Sequence, residues 1–169
     1  TGTDGQMHWV PRDYIKVAVV YNTEMFRIAG IDTSTLSDGW TFDDLRTICG
    51  QLKAAETQIK EEYSHLSSFW SIDMNLNWAA VYYPVIKSYG GELIDKENAK
   101  AFGNLDAVKQ GFNLLLGYAD EGLAVPPDES GAPFANKQCA MMFTSRPNIP
   151  DYYEALDGAI DFLSFPAIS

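Results

Sequence analysis

The chain has 169 residues, enough for one ordinary domain, and with 46% apolar and 13% aromatic residues it carries the material for a substantial core. Its 23 Asp and Glu against 12 Lys and Arg give a net charge of −11, which argues against a nucleic-acid partner, because a phosphate backbone demands a basic face. No stretch approaches the roughly 20 consecutive apolar residues of a membrane-spanning helix, and Thr1 to Gln6 do not read as a charged-then-apolar leader, so export requires a signal outside this chain.

Lys16 to Tyr21 is β-branched and almost continuously apolar, the pattern of a strand buried on both faces. Thr23 to Ala29 reads as a two-turn helix closed by Gly30. Thr41 and Asp44 have capping-box spacing at the head of a helix whose Phe42, Leu45, Ile48, Leu52 and Ala55 share one face, running to about Gln58. Cys49 falls in this apolar pattern and Cys139 in a later one, ninety positions away, which predicts two buried thiols. His8 and His65 have no Cys or His at metal-ligand spacing, and neither a metal nor a cofactor is expected.

Ser67 to Ile72 predicts a short strand, and Asp73 to Asn77 a turn into a helix beginning near Trp78, with Trp78, Tyr82, Val85, Ile86 and Tyr89 inward and a kink at Pro84. Gly90-Gly91 ends that helix and Glu92 to Asp95 follows as an edge strand. Asn104 suits the N-cap of a helix carrying Val108, Phe112, Leu115, Leu116 and Ala119 at helical spacing up to Gly122. After the loop from Pro126 to Pro133 come an apolar strand, Cys139 to Phe143, a short helix, Tyr152 to Leu156, and a last strand, Asp161 to Phe165. Strands separated by helices predict one α/β domain with a mixed or parallel sheet.

Catalytic constellations at diagnostic spacing are missing from the sequence: no nucleophile elbow and no Gly-rich phosphate loop occur, and a carboxylate pair such as Asp13 with Asp73 is recognised by distance rather than spacing. Amides, an indole and a guanidinium stand instead where elements begin or end. Asn75, Asn77 and Trp78 sit at a strand-to-helix junction, and Ser145, Arg146 and Asn148 follow the strand from Cys139. Such groups hold sugar hydroxyls against a flat apolar face. Each also has a plain structural use: Asn75 or Asn77 as a cap, Trp78 in the core, Arg146 paired with a carboxylate.

Taken in order, these segments resemble the extracellular solute-binding protein family 1, the sugar-binding components of ABC importers. Asp4 to Asp13 looks like the family's Val-Pro entry into the second lobe, with Trp9 where Gly is usual. Val20-Tyr21-Asn22 through Phe26, then Ala29-Gly30-Ile31-Asp32, matches its Tyr-Asn…Phe…Ala-Gly-Ile-Asp run, and Trp40-Thr41-Phe42-Asp43-Asp44-Leu45 matches its Trp-capped helix start. Tyr89-Gly90-Gly91-Glu92-Leu93 and Phe134 to Met142 resemble two later signatures. The resemblance implies a periplasmic-binding-protein-like type II fold, of which residues 1–169 form a single α/β lobe, the first lobe and the C-terminal helices being absent. It implies a protein that is no enzyme: it would bind a sugar or oligosaccharide in an interlobe cleft by hinge closure and deliver it to the permease subunits of an ABC importer, on the outer face of a bacterial membrane as an extracellular, periplasmic or lipid-anchored protein. A polysaccharide-acting enzyme or an accessory carbohydrate module is the alternative. The positions carried over as cleft residues are Arg12, Asp13 and Tyr14, then Asn75, Asn77 and Trp78, then Ser145, Arg146 and Asn148, where the last group departs from the family's usual Gly and Trp.

Overall fold

In the computed structural model, residues 5–6, 16–36, 39–95, 97–129 and 131–168 are described. The apolar run near the start forms β1 (Val17–Asn22). Asn22 then turns the chain into α1 (Thr23–Ile28), its side-chain oxygen accepting the backbone N–H groups of Glu24 and Met25. Gly30, with φ +68°, takes the left-handed conformation that closes this helix without a Cβ penalty.

The expected capping box opens α2 (Phe42–Ala54): Thr41 Oγ1 accepts the Asp44 N–H at 3.2 Å and the Asp44 carboxylate accepts the Thr41 N–H at 2.7 Å. The single helix expected to reach Gln58 is instead two, because the backbone bends at Ala55 and restarts as α3 (Glu56–Glu62). The bend lets Ile59, fully buried, turn into the core. β2 (Trp70–Asp73) lies a little later than expected, and its buried Ser71 donates a 2.7 Å hydrogen bond to the Cys49 carbonyl of α2.

α4 (Ala79–Ser88) contains Pro84 and buries Val81, Val85 and Ile86, with Trp78, Tyr82 and Tyr89 half-buried against the core. β3 (Glu92–Asp95) is not an edge of the main sheet. It pairs antiparallel with β4 (Lys100–Gly103), a strand the sequence does not announce, as a separate hairpin. Asn104 stands at the N-cap position of α5 (Leu105–Asp120), but its side chain does not cap the helix; at φ +54° it donates to the Gly90 carbonyl at 3.2 Å. Asn tolerates that left-handed conformation better than most residues. On α5, Leu116 is exposed, whereas Tyr118 is fully buried with its hydroxyl donating to the Phe42 carbonyl. Gly111 brings α5 against α4 so closely that a Cβ there would sit 3.0 Å from Ile86 Cα.

β5 (Cys139–Ser145), a 3-10 turn (Arg146–Asn148), α6 (Ile149–Ala155) and β6 (Ile160–Ser164) complete the lobe. The sheet order is β2-β5-β1-β6, with β2 parallel to β5 and β1 antiparallel to both its neighbours. Val19 and Tyr21 of β1, with Met141 and Phe143 of β5, join the larger core cluster under α2, α4 and α5. Val20 and Met142 face a smaller cluster with Phe134, Leu156 and Tyr152. Helices and loops thus cover both faces of a mixed sheet, the α/β lobe the sequence predicts. Cys49 and Cys139 are both free and buried, and burial pushes both thiols up.

Candidate functional site

Strand direction decides which loops meet. Because β2 and β5 run parallel, both end at the same edge of the sheet, and because β1 runs against β5 it begins there: Asp73 pairs with Met142, and Val17 pairs with Ser145. Neighbouring strands lie about 4.8 Å apart, so the residues after β2, those after β5 and Lys16 before β1 share one ledge. This is the position where an α/β sheet usually exposes a ligand site.

On the β2 side, the turn is built by Asp73, whose carboxylate accepts the Asn75 N–H at 2.8 Å. Asn75 sits at φ +49° and donates from Nδ2 to the Phe143 carbonyl at 3.2 Å, tying this turn to β5. Asn77 is exposed, and Trp78 is half-buried at the N-cap of α4. On the β5 side, Ser145 is only 6% exposed, while Arg146 and Asn148 are exposed in the following turn. No carboxylate among the described residues pairs with Arg146. The register therefore brings two of the three expected groups onto one ledge. The third, Arg12, Asp13 and Tyr14, lies outside the described residues, as does the Asp13 half of a pairing with Asp73.

A cavity of about 190 Å3 opens beside Asn75 and Asn77, walled by Asp73 and Met142 on the sheet side and by Pro126, Pro127 and Glu129 of the loop after α5. Asp73 is largely buried here; desolvation raises its carboxyl above the ordinary aspartate range, partly offset by the Asn75 N–H. Sequence reading places neither Glu129 nor this loop at the site, and only the Pro-rich composition hints that a rigid wall stands there. A second cavity, about 710 Å3, lies at the C-terminal end of α4 between Lys87 and the β3–β4 hairpin. Among the described residues, no cluster of three or more His, Cys, Asp or Glu is placed to hold a metal ion.

No family model matches the chain, and no curated protein matches it in sequence. Its fold, however, is found in many solved structures. The extracellular solute-binding protein family 1 member from Alicyclobacillus acidocaldarius superposes with a TM-score of 0.71 at 12% identity, covering 99% of this chain and 40% of that one. The GacH receptor of Streptomyces glaucescens, solved unliganded and with acarbose, gives 0.67 at 18% identity, over 92% of this chain and 38% of the other. An ABC substrate-binding protein of Listeria monocytogenes, in complex with cycloalternan, gives 0.64 at 19%, again over 92% and 38%. The chain spans about two fifths of the length of the structures it matches. Like one lobe of those extracellular solute-binding proteins, the chain has the periplasmic-binding-protein-like α/β fold, with a mixed sheet flanked by helices.

Proposed function

We propose that this chain is one lobe of a two-lobed binding protein that captures a sugar or oligosaccharide between its lobes and passes it, unchanged, to the permease subunits of an ABC importer. What supports the reading is the ledge: Asn77 follows the end of β2, Arg146 and Asn148 follow the end of its parallel neighbour β5, all three are exposed, and Trp78 stands at the start of α4. Amides and a guanidinium offer directed donors and acceptors to hydroxyls, and an indole offers a flat apolar face, which together suit a polar ring better than a bond-breaking step. The likeness to lobes of proteins solved with acarbose and with cycloalternan supports the same reading. So does the function of those neighbours as binding proteins, and with it an extracellular, periplasmic or lipid-anchored location. Arg12, Asp13 and Tyr14, immediately before β1, belong to the proposed ligand set with Asn75, Asn77, Trp78, Ser145, Arg146 and Asn148.

Capture by hinge closure requires a ligand that stabilises the closed form more than the open one. The test is a thermal-shift screen of the complete two-lobed protein against neutral, acidic and amino sugars, with the ligand recovered and its mass measured. A ligand at a hundred times its Kd adds about 2.7 kcal/mol to stability, an easily read shift. A sugar that returns shortened overturns the binding-protein reading in favour of an enzyme; no shift with any sugar overturns the sugar.

A further inference from the structure

The cavity beside Asn75 and Asn77 has two properties that bear on which ligands the site accepts. One is its size: about 190 Å3 is below the roughly 300–1,000 Å3 of a pocket that holds a whole small-molecule ligand, so it has room for one end of a molecule. The other is its charge. Two carboxylates, Asp73 and Glu129, stand on its walls, and among the described residues no Lys, Arg or His lines it. Asp73 accepts one hydrogen bond, from the Asn75 N–H, and no other donor reaches its carboxylate among the described residues. A half-dehydrated carboxylate in this state is completed by a ligand that donates hydrogen bonds and is opposed by one that brings negative charge. Pro126, Pro127 and Pro133 on the loop side have no backbone N–H to offer an anion, so they do not soften that opposition.

We propose that this cavity is a specificity pocket of the interlobe site: it receives the terminal unit of an extended ligand, engages that unit's hydroxyl or ammonium donors with Asp73 and Glu129, and rejects terminal units that bear a carboxylate or phosphate. The inference rests on the sugar-binding reading above and narrows it to neutral or amino-bearing chains longer than one ring, with the remainder of the ligand lying along the ledge towards Arg146 and Asn148.

The test uses the complete protein and matched probes: glucose, maltotriose and cellotriose, each beside counterparts whose terminal unit is a uronate or a 2-amino sugar. Calorimetry is run on the wild type and on the Asp73→Asn, Glu129→Gln double variant. Asn keeps an oxygen that accepts the Asn75 N–H, so the turn survives, and circular dichroism with a melting curve checks this. The expected result is that a trisaccharide binds tighter than glucose, that its uronate counterpart binds at least tenfold more weakly than the neutral or amino form, and that this discrimination largely disappears in the double variant. A uronate bound as tightly as the neutral sugar, or a discrimination unchanged in the double variant, overturns the pocket while leaving the sugar reading intact. If none of the probes binds wild type, the sugar reading fails and this inference falls with it.

Discussion

Replacing Trp40 by Ala tests the attachment of the returning chain to the lobe. Trp40 is 4% exposed, and its indole Nε1 donates to the Ser164 carbonyl at 2.9 Å and towards the Ser164 hydroxyl at 3.2 Å, joining positions 124 residues apart. Two backbone bonds reinforce the junction: Ala167 N–H to the Trp40 carbonyl at 2.8 Å, and Phe42 N–H to the Ala167 carbonyl at 2.9 Å. Truncating a buried aromatic to Ala costs about 3–5 kcal/mol, and in a chain of this size each kcal/mol lowers the melting temperature by roughly 2–4 °C. Trp40→Ala should therefore melt roughly 6–20 °C below wild type. Trp40→Phe retains most of the ring and loses the donor, leaving the Ser164 carbonyl short of a partner, at about 1–2 kcal/mol. Urea unfolding followed by far-UV circular dichroism avoids the fluorescence change that losing a Trp brings, and an unchanged slope identifies the loss as stability of the native state. If Trp40→Ala costs less than about 1 kcal/mol, the indole is not the fastener described here.

Three other outcomes follow from the same contacts. Gly111→Ala should destabilise by about 1–3 kcal/mol by urea unfolding, despite Ala's better helix propensity, because its Cβ would press on Ile86 backbone at the α4–α5 crossing. Asp73 has a folded carboxyl raised by burial, so the folded chain holds its proton more tightly than the unfolded one and stability contributed by this group declines as pH rises through the window above 3.8; Asp73→Asn should accordingly be the more stable form at pH 7 in denaturant titration, with its advantage shrinking as the pH falls through that window. In the complete protein, Trp78→Ala and Arg146→Ala should each weaken sugar binding, the latter by roughly ten- to a hundredfold for a lost donor to a buried hydroxyl, with little change in melting temperature for Arg146→Ala; unchanged calorimetric affinity removes that residue from the ligand set.

Local signals in the sequence carry the elements whose cause is local. The Thr41–Asp44 capping box, the Gly30 closure and the apolar runs of β1 and β5 appear in the fold where the residues indicate them. β4 escapes notice because Lys100-Ala101-Phe102-Gly103 has no alternation and Phe102 sits at φ +62°; only its pairing with β3 makes it a strand. The bend at Ala55 has no Gly or Pro to mark it, and Tyr118 does not read as core because its polar end finds its acceptor 76 residues away. For the site, the turn-forming residues after two apolar runs are visible in sequence, but their adjacency depends on β2 pairing parallel with β5 and β1 antiparallel, a non-local choice. Glu129 reaches the cavity by the same route, from a loop more than fifty positions beyond Asp73, so no spacing rule connects them.

The residues that hold the ledge and those that face outward from it are largely different, and this separates stability from recognition. Ser71, Trp40 and the strand register fix the sheet from behind, whereas Arg146, Asn148 and Asn77 are exposed and can change with little effect on the core. Asn75 is the exception. One N–H of its Nδ2 is committed to the Phe143 carbonyl and its backbone to a left-handed turn, so its second N–H and Oδ1 remain to meet a ligand. Most replacements at this position strain the turn and cut the tie to β5 along with any ligand contact, and Asp, which tolerates the same backbone, removes the donor while adding a negative charge beside Asp73. Affinity lost on changing Asn75 therefore reports the placing of the ledge as much as contact with sugar, and it is the exposed Asn77 and Arg146 whose replacement isolates binding.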